Sequence, residues 1–274
     1  MLKGIKLSIA LLETILDSTK TVHSMTLETT LTATADVIKN KVQTQNVVAI
    51  LPASAKGSNK DEFLVIGAHY DHLGFGGFGS GSRRPDTLAI HNGADDNASG
   101  VAAIMEIVEK LASVRKSLKR NFLVIAFGAE EMGTIGSRYF TNNPLVDLRK
   151  IKYMLNLDMI GRLDKENKSL TIGGTGTAKG MEAVIPKLLQ RYYLNAKMSP
   201  EGYGPSDHAN FYANDIPVLF FFTGAHEDYH TPNDDVEYIN FEGSKEISDF
   251  IYELVIEIAN LEETLAFQDR KSVV

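Results

Sequence analysis

Apolar residues fall along this chain in two alternating patterns. Short continuous runs bounded by turn residues, "NVVAIL" (46–51), "FLVIGAH" (63–69), "NFLVIAF" (121–127), "YMLNLDM" (153–159) and "VLFFF" (218–222), predict buried strands. Between them Val101, Ile104, Met105, Val108 and Leu111 mark one face of a helix, and residues 177–194 and 242–266 predict two more. Strands alternating with helices predict an α/β three-layer sandwich: a mostly parallel, mixed central sheet flanked by helices, with an antiparallel strand at an edge. Residues 1–24 form an amphipathic N-terminal helical segment, and residues 25–274 are expected to be the main domain.

Composition narrows the picture. With 274 residues the chain is long enough for one large core. Asp and Glu (35) outnumber Lys and Arg (28), a net charge of -7 that argues against nucleic acid as a partner; the pair Arg83-Arg84 is too short for a basic footprint. No apolar run reaches the roughly 18 residues of a membrane span. The opening "MLKGIKLSIALLETIL" has the lysines and apolar stretch of a signal peptide, but Glu13 interrupts it and no A-x-A pattern follows. There is no cysteine, so a metal would be held by His, Asp and Glu.

Those residue types gather after the strands. The second predicted strand ends in His69, Asp71 and His72, the third runs into Glu130 and Glu131, the fourth carries Asp158, and the last is followed by His226, His230 and Asp234. Asp95 and Asp96 precede a helix in "NGADDNASG". In open α/β sheets, ligands bind beyond the carboxyl ends of the strands. Taken singly, each residue is ordinary: a strand-end histidine packs, paired acids cap a helix or face water. Taken together, converging carboxylates repel unless a cation compensates them. Two histidines and three carboxylates suit zinc; five ligands exceed one catalytic zinc with an open position but fit two, roughly 3.5–4 Å apart and sharing a carboxylate. The rigid turn around Asp95 is the expected source of that bridge.

The set "HYDH … GADDNASG … GAEEMGTIGS … NLDMIG … SDHANF … YHTPND" closely resembles the two-zinc exopeptidases of peptidase family M28, across roughly residues 45–262 and with every motif in family order. The resemblance implies a zinc-dependent exopeptidase fold and an aminopeptidase acting on peptide substrates with two Zn2+ per chain. His69 and Asp158 would hold one zinc, Glu131 and His230 the other, and Asp95 would bridge them, followed by a cis peptide bond to Asp96. Glu130 would be the general base and acid, Asp71 would orient His69, Tyr203 would donate to the tetrahedral intermediate, and His208 would line the substrate site or serve structure. Residues 1–24 resemble the last helix of a protease-associated domain, and family analogy implies a secreted or periplasmic location, with the cytoplasm as the alternative. Gly204-Pro205 stands where bacterial leucyl aminopeptidase carries cysteine nearby, and the glycine-rich insertion after His69 is longer. Its "GFGGFG" (74–79) fits a dinucleotide fingerprint but opens no helix, so it is expected to be a mobile rim loop. Rival readings are a carboxypeptidase-like or dipeptide hydrolase, needing an arginine such as Arg83, Arg84 or Arg162 for a carboxylate; a one-zinc glutaminyl cyclase; and a non-catalytic binding ectodomain.

Overall fold

Val47–Leu51 (β1), Asn59–His69 (β2), Arg120–Phe127 (β3), Ile151–Leu157 (β4), Ser169–Gly173 (β5), Asn195–Met198 (β6) and Val218–Phe222 (β7) form one sheet in the order β1-β3-β2-β4-β7-β5-β6. This computed structural model describes residues 8–21, 24, 30, 32–37, 41–55 and 59–269. The chain divides into two units, Met1–Val42 and Gln43–Val274, later than the expected boundary at 24/25. In the first, the helix Ile9–Thr19 (α1) starts at Ser8, whose hydroxyl accepts the Leu11 N–H, and stops at Lys20 in a left-handed conformation. None of the helix's residues is buried. Lys3 and Lys6 of the opening stretch lie outside the described residues.

In the second unit β2, β3, β4 and β7 are mutually parallel, while β1 runs antiparallel to β3 at one edge and β5 antiparallel to β7. Alternate side chains of β2 point to opposite faces, as the pleat requires. Leu64 and Ile66 pack under the helices Gly100–Ser113 (α2) and Phe241–Asn260 (α6), whereas Val65 faces Phe140 of Ile135–Asn142 (α3) and Phe211 of His208–Tyr212 (α5). Helix α2 turns Ala103, Ile104, Ile107 and Leu111 inward; Met105, assigned to that face from sequence, is exposed, because the inward stripe runs through Ile107.

The expected helix over 177–194 shortens to Met181–Leu189 (α4), since the Thr177 hydroxyl is held by the carbonyls of Gly174 and Val218. Likewise α6 ends at Asn260 rather than 266: the buried Arg120 guanidinium takes the carbonyls of Ala259 and Leu261 and turns the chain back along the sheet. Strands β5 and β6 lack a long apolar run and were not expected. No helix among the described residues is long and apolar enough to cross a membrane.

The register decides where the chemistry goes. His69 at the end of β2 is level with Phe127 at the end of β3, and Leu157 of β4 with Phe221 of β7. Four parallel strands therefore stop along one edge, and the loops after them carry the acids and imidazoles.

Candidate functional site

His69 closes β2 and is buried. Its Nδ1 lies 3.1 Å from the main-chain carbonyl of Asp71, which can only accept, so that nitrogen carries the proton. Nε2 is thereby left to face two carboxylates, Asp96 Oδ1 at 3.1 Å and Asp158 Oδ1 at 3.6 Å. His230 repeats the device from the other side. Its Nδ1 donates to the Gly81 carbonyl at 3.1 Å, and its Nε2 faces Asp96 Oδ2 at 3.2 Å and Glu131 Oε2 at 3.1 Å. His72 joins this second group, with Nδ1 2.8 Å from Glu131 Oε1. Two acid–imidazole groups result, His69, Asp96 and Asp158, and His72, Asp96 and Glu131; Asp96 belongs to both.

The carboxylate between the imidazoles is thus Asp96, not Asp95. Successive residues of the turn Ala94–Ser99 point in different directions, and the cis peptide is Asp96-Asn97 rather than Asp95-Asp96. Asp95 turns away into the interior: Oδ1 accepts the Gly161 N–H (2.6 Å) and the Ser99 hydroxyl (3.0 Å), and Oδ2 lies 3.3 Å from His226 Nε2. Asn97 ties the turn to the end of β4, donating to Leu157 O and accepting from Met159 N on either side of Asp158.

Asp71 meets His69 through its main chain rather than its carboxylate. Its main-chain carbonyl holds His69, while its carboxylate stands 3.8 Å from that ring and accepts the N–H groups of Glu130 (2.9 Å) and Glu131 (3.3 Å). It therefore fixes the loop that carries both glutamates. Ala129, Met159 and His230 all have left-handed backbones (φ 55, 52 and 56°), a conformation held at a cost where side chains must be aimed.

Electrostatics follow from this packing. Burial alone would lower the pKa of His69 and His230, but the facing carboxylates outweigh it, raising His69 well above its usual value and His230 to about 10. Burial would raise Asp96 and Glu131, yet the imidazoles hold both below the usual range. Glu130, half-buried, has its carboxyl pushed up to about 8, first by burial and then by Asp207, Asp158 and Glu131. The two acid–imidazole groups gather cationic charge as protons on the imidazoles. A divalent cation that displaced those protons and took the same Nε2 atoms and carboxylates as ligands would supply it instead, so the donor set fits zinc.

Tyr203 and His208 share no hydrogen bond or ion pair with this cluster among the described residues. Tyr203 is exposed and packs edge-on against Tyr212. His208 is buried, stacks on Phe220 with ring centroids 4.5 Å apart, and is pushed down to about 3 by burial, hence neutral. The rim loop after His72 is joined to the His230 segment at Arg83 and packs against His91 at Gly76. His91 fills the space a Cβ at Gly76 would need, Arg83 N–H donates to His230 O (2.9 Å), and its Nη1 reaches the carbonyls of His226, Glu227 and Tyr229.

Known proteins resemble this chain in sequence and in fold. Residues 46–255 match peptidase family M28. An aminopeptidase of Pseudomonas aeruginosa is 32% identical over 212 residues, which cover 74% of this chain and 35% of that protein. Aminopeptidase YwaD of Bacillus subtilis is 26% identical, over 80% of this chain and 46% of its own length. The chain thus spans between about a third and a half of these curated relatives. Among solved structures, a zinc aminopeptidase from Bacillus subtilis superposes with a TM-score of 0.63 at 25% identity, covering 82% of this chain and 53% of that one. A glutaminyl cyclase of Porphyromonas gingivalis shares the fold at 19% identity, with a TM-score of 0.62 and 77% of each chain covered.

Proposed function

The chain belongs to peptidase family M28, and from that premise we propose that it is the catalytic unit of a zinc-dependent aminopeptidase that hydrolyses the N-terminal residue from peptides. The observation that carries the reading is Asp96, one carboxylate whose two oxygens face imidazoles from opposite sides. In this reading two zinc ions are held per chain, one by His69 and Asp158, the other by Glu131 and His230 with His72 alongside, and Asp96 is common to both. Zinc, when bound, polarises the scissile carbonyl and acidifies a water toward neutral pH.

The protein's own part is proton transfer and orientation. Glu130, held beside the cluster by the bond from its N–H to the Asp71 carboxylate, is the free carboxylate placed to take a proton from the attacking water and return it to the leaving amine. Asp71 keeps Glu130 and Glu131 on adjacent N–H anchors, so one serves as base while the other stays a ligand. The surplus of carboxylates at the rim attracts a peptide's free ammonium group.

A carboxypeptidase-like reading would need a free guanidinium. Arg162 is engaged by Asp228 and Asp234, both at 3.2 Å, and Arg83 by three main-chain carbonyls, which leaves the exposed Arg84 as the guanidinium that reading would have to use. The test is a panel of aminoacyl chromogenic substrates with free and acetylated amines. Hydrolysis of the free-amine series alone, abolished by a chelator and restored by zinc, is expected; equal hydrolysis of the acetylated series, or activity untouched by the chelator, would refute it.

A further inference from the structure

Asp234 plays no part in the chemistry above, yet it is wholly buried. Its Oδ2 accepts two successive main-chain N–H groups, from Asp95 at 2.9 Å and Asp96 at 3.0 Å, and its main-chain oxygen accepts a third, from Ala94, at 2.9 Å. The other carboxylate oxygen lies 3.2 Å from Arg162 Nη2, and that same nitrogen reaches Asp228 at 3.2 Å while the guanidinium sits over the Tyr238 ring. In sequence, Arg162 follows Asp158 by one helical turn's worth of residues, and Asp234 follows His230 in the same way. Asp95, one residue before Asp96, receives the N–H of Gly161.

From this geometry we infer that Asp234, backed by Arg162, is a positioning residue that aims the Asp96 carboxylate by tying together the three segments that bear Asp96, Asp158 and His230. The inference rests on the zinc reading above. Asp96 has to address His69 and His230 at once, and a bridging group works only when held within about half an ångström of its place. Hydrogen bonds from the turn's own amides to a buried acid on the His230 segment provide that constraint. A carboxylate is required, since every partner is a donor. In Asp234→Asn the amide oxygen still receives the two N–H groups, but its NH2 then meets the Arg162 guanidinium, donor against donor.

The experiment compares metal-free wild type, Asp234→Asn, Arg162→Gln and Asp235→Asn, titrated with zinc against a competing chromogenic chelator and then saturated with cobalt(II) for visible spectra. Asp235 bonds Asn92 instead of the turn and is the control. Asp234→Asn is expected to weaken zinc binding about 10- to 100-fold, the usual scale for groups behind a ligand, and to shift the cobalt bands at saturation. Asp235→Asn should do neither. Should Asp234→Asn fail to fold, Arg162→Gln carries the same expectation in the same direction. Wild-type affinity and unshifted bands in the Asp234 or Arg162 variant would overturn the inference and leave the zinc reading standing. Weaker binding with unshifted bands would mean a general loosening, and would overturn it too. A wild type that binds no zinc would sink both.

Discussion

His69 and His230 have each committed the nitrogen turned away from Asp96 to a main-chain carbonyl, His69 to Asp71 and His230 to Gly81, so neither ring can turn. A rigid ring whose Nε2 is aimed at the carboxylates is a ligand prepared in advance. Beside it Glu130 is set apart by a raised pKa, and Glu130→Gln is expected to keep its metal while kcat falls by at least about 10²-fold; unchanged turnover would reassign the base. A second residue-scale expectation concerns Asp207, which is wholly buried and pushed up to about 7 by burial. An unfolded aspartate titrates near 3.9, so between about 4 and 7 the folded state holds a proton that the unfolded chain has released. Stability from this group is full below that interval and declines by about 1.4 kcal/mol per pH unit as pH rises through it. In metal-free protein, Asp207→Asn should therefore gain on wild type between pH 5 and pH 8 by roughly 3 kcal/mol in urea unfolding; a constant difference across that range would contradict it. Residue types at the strand ends offered a wide set of candidates, from which the family resemblance singled out His69, Glu131, Asp158 and His230, and the structure places these four around Asp96. Residue types could not say which of two adjacent aspartates faces inward. That is set by backbone torsions at Asp96 and Asn97, to which the letters "DD" are blind. His72 and Asp234 were visible as polar strand-end residues, but their partners lie far away in sequence.

Among the elements, four of the continuous apolar runs became the parallel strands, because a strand covered on both faces must be apolar throughout, and the fifth became the edge strand β1, which is mostly exposed. Strands β5 and β6 escaped notice since β6 is exposed along most of its length and pairs on one side only. Helix α2 shows how a periodic pattern can be placed one position off. Its stripe 103, 104, 107, 111 and the sequence-based stripe 101, 104, 105, 108, 111 share two members and differ in facing. Ile107→Ala should accordingly cost about 2–5 kcal/mol of unfolding free energy, whereas Met105→Ala should stay within about 0.5 kcal/mol. Equal losses for the two in urea denaturation would show the stripe to be misplaced. Since α2 begins at the end of the Asp96 turn, its seating also fixes where that turn can lie.

For the molecule as a whole, one sheet edge concentrates what a net charge of -7 spreads along the sequence. Aligned carboxyl ends of β2, β3, β4 and β7 bring distant acids within hydrogen-bond reach, and only compensation by a cation makes that concentration tolerable once the imidazoles are neutral. Metal should therefore stabilise the fold, by an amount set by its concentration relative to its dissociation constant. The most direct test of the shared carboxylate is to equilibrate wild type and Asp96→Ala with zinc, remove the excess, and count the metal on each chain. Two zinc ions on the wild type and their loss from Asp96→Ala are expected; two ions retained by the variant would contradict the account at its centre.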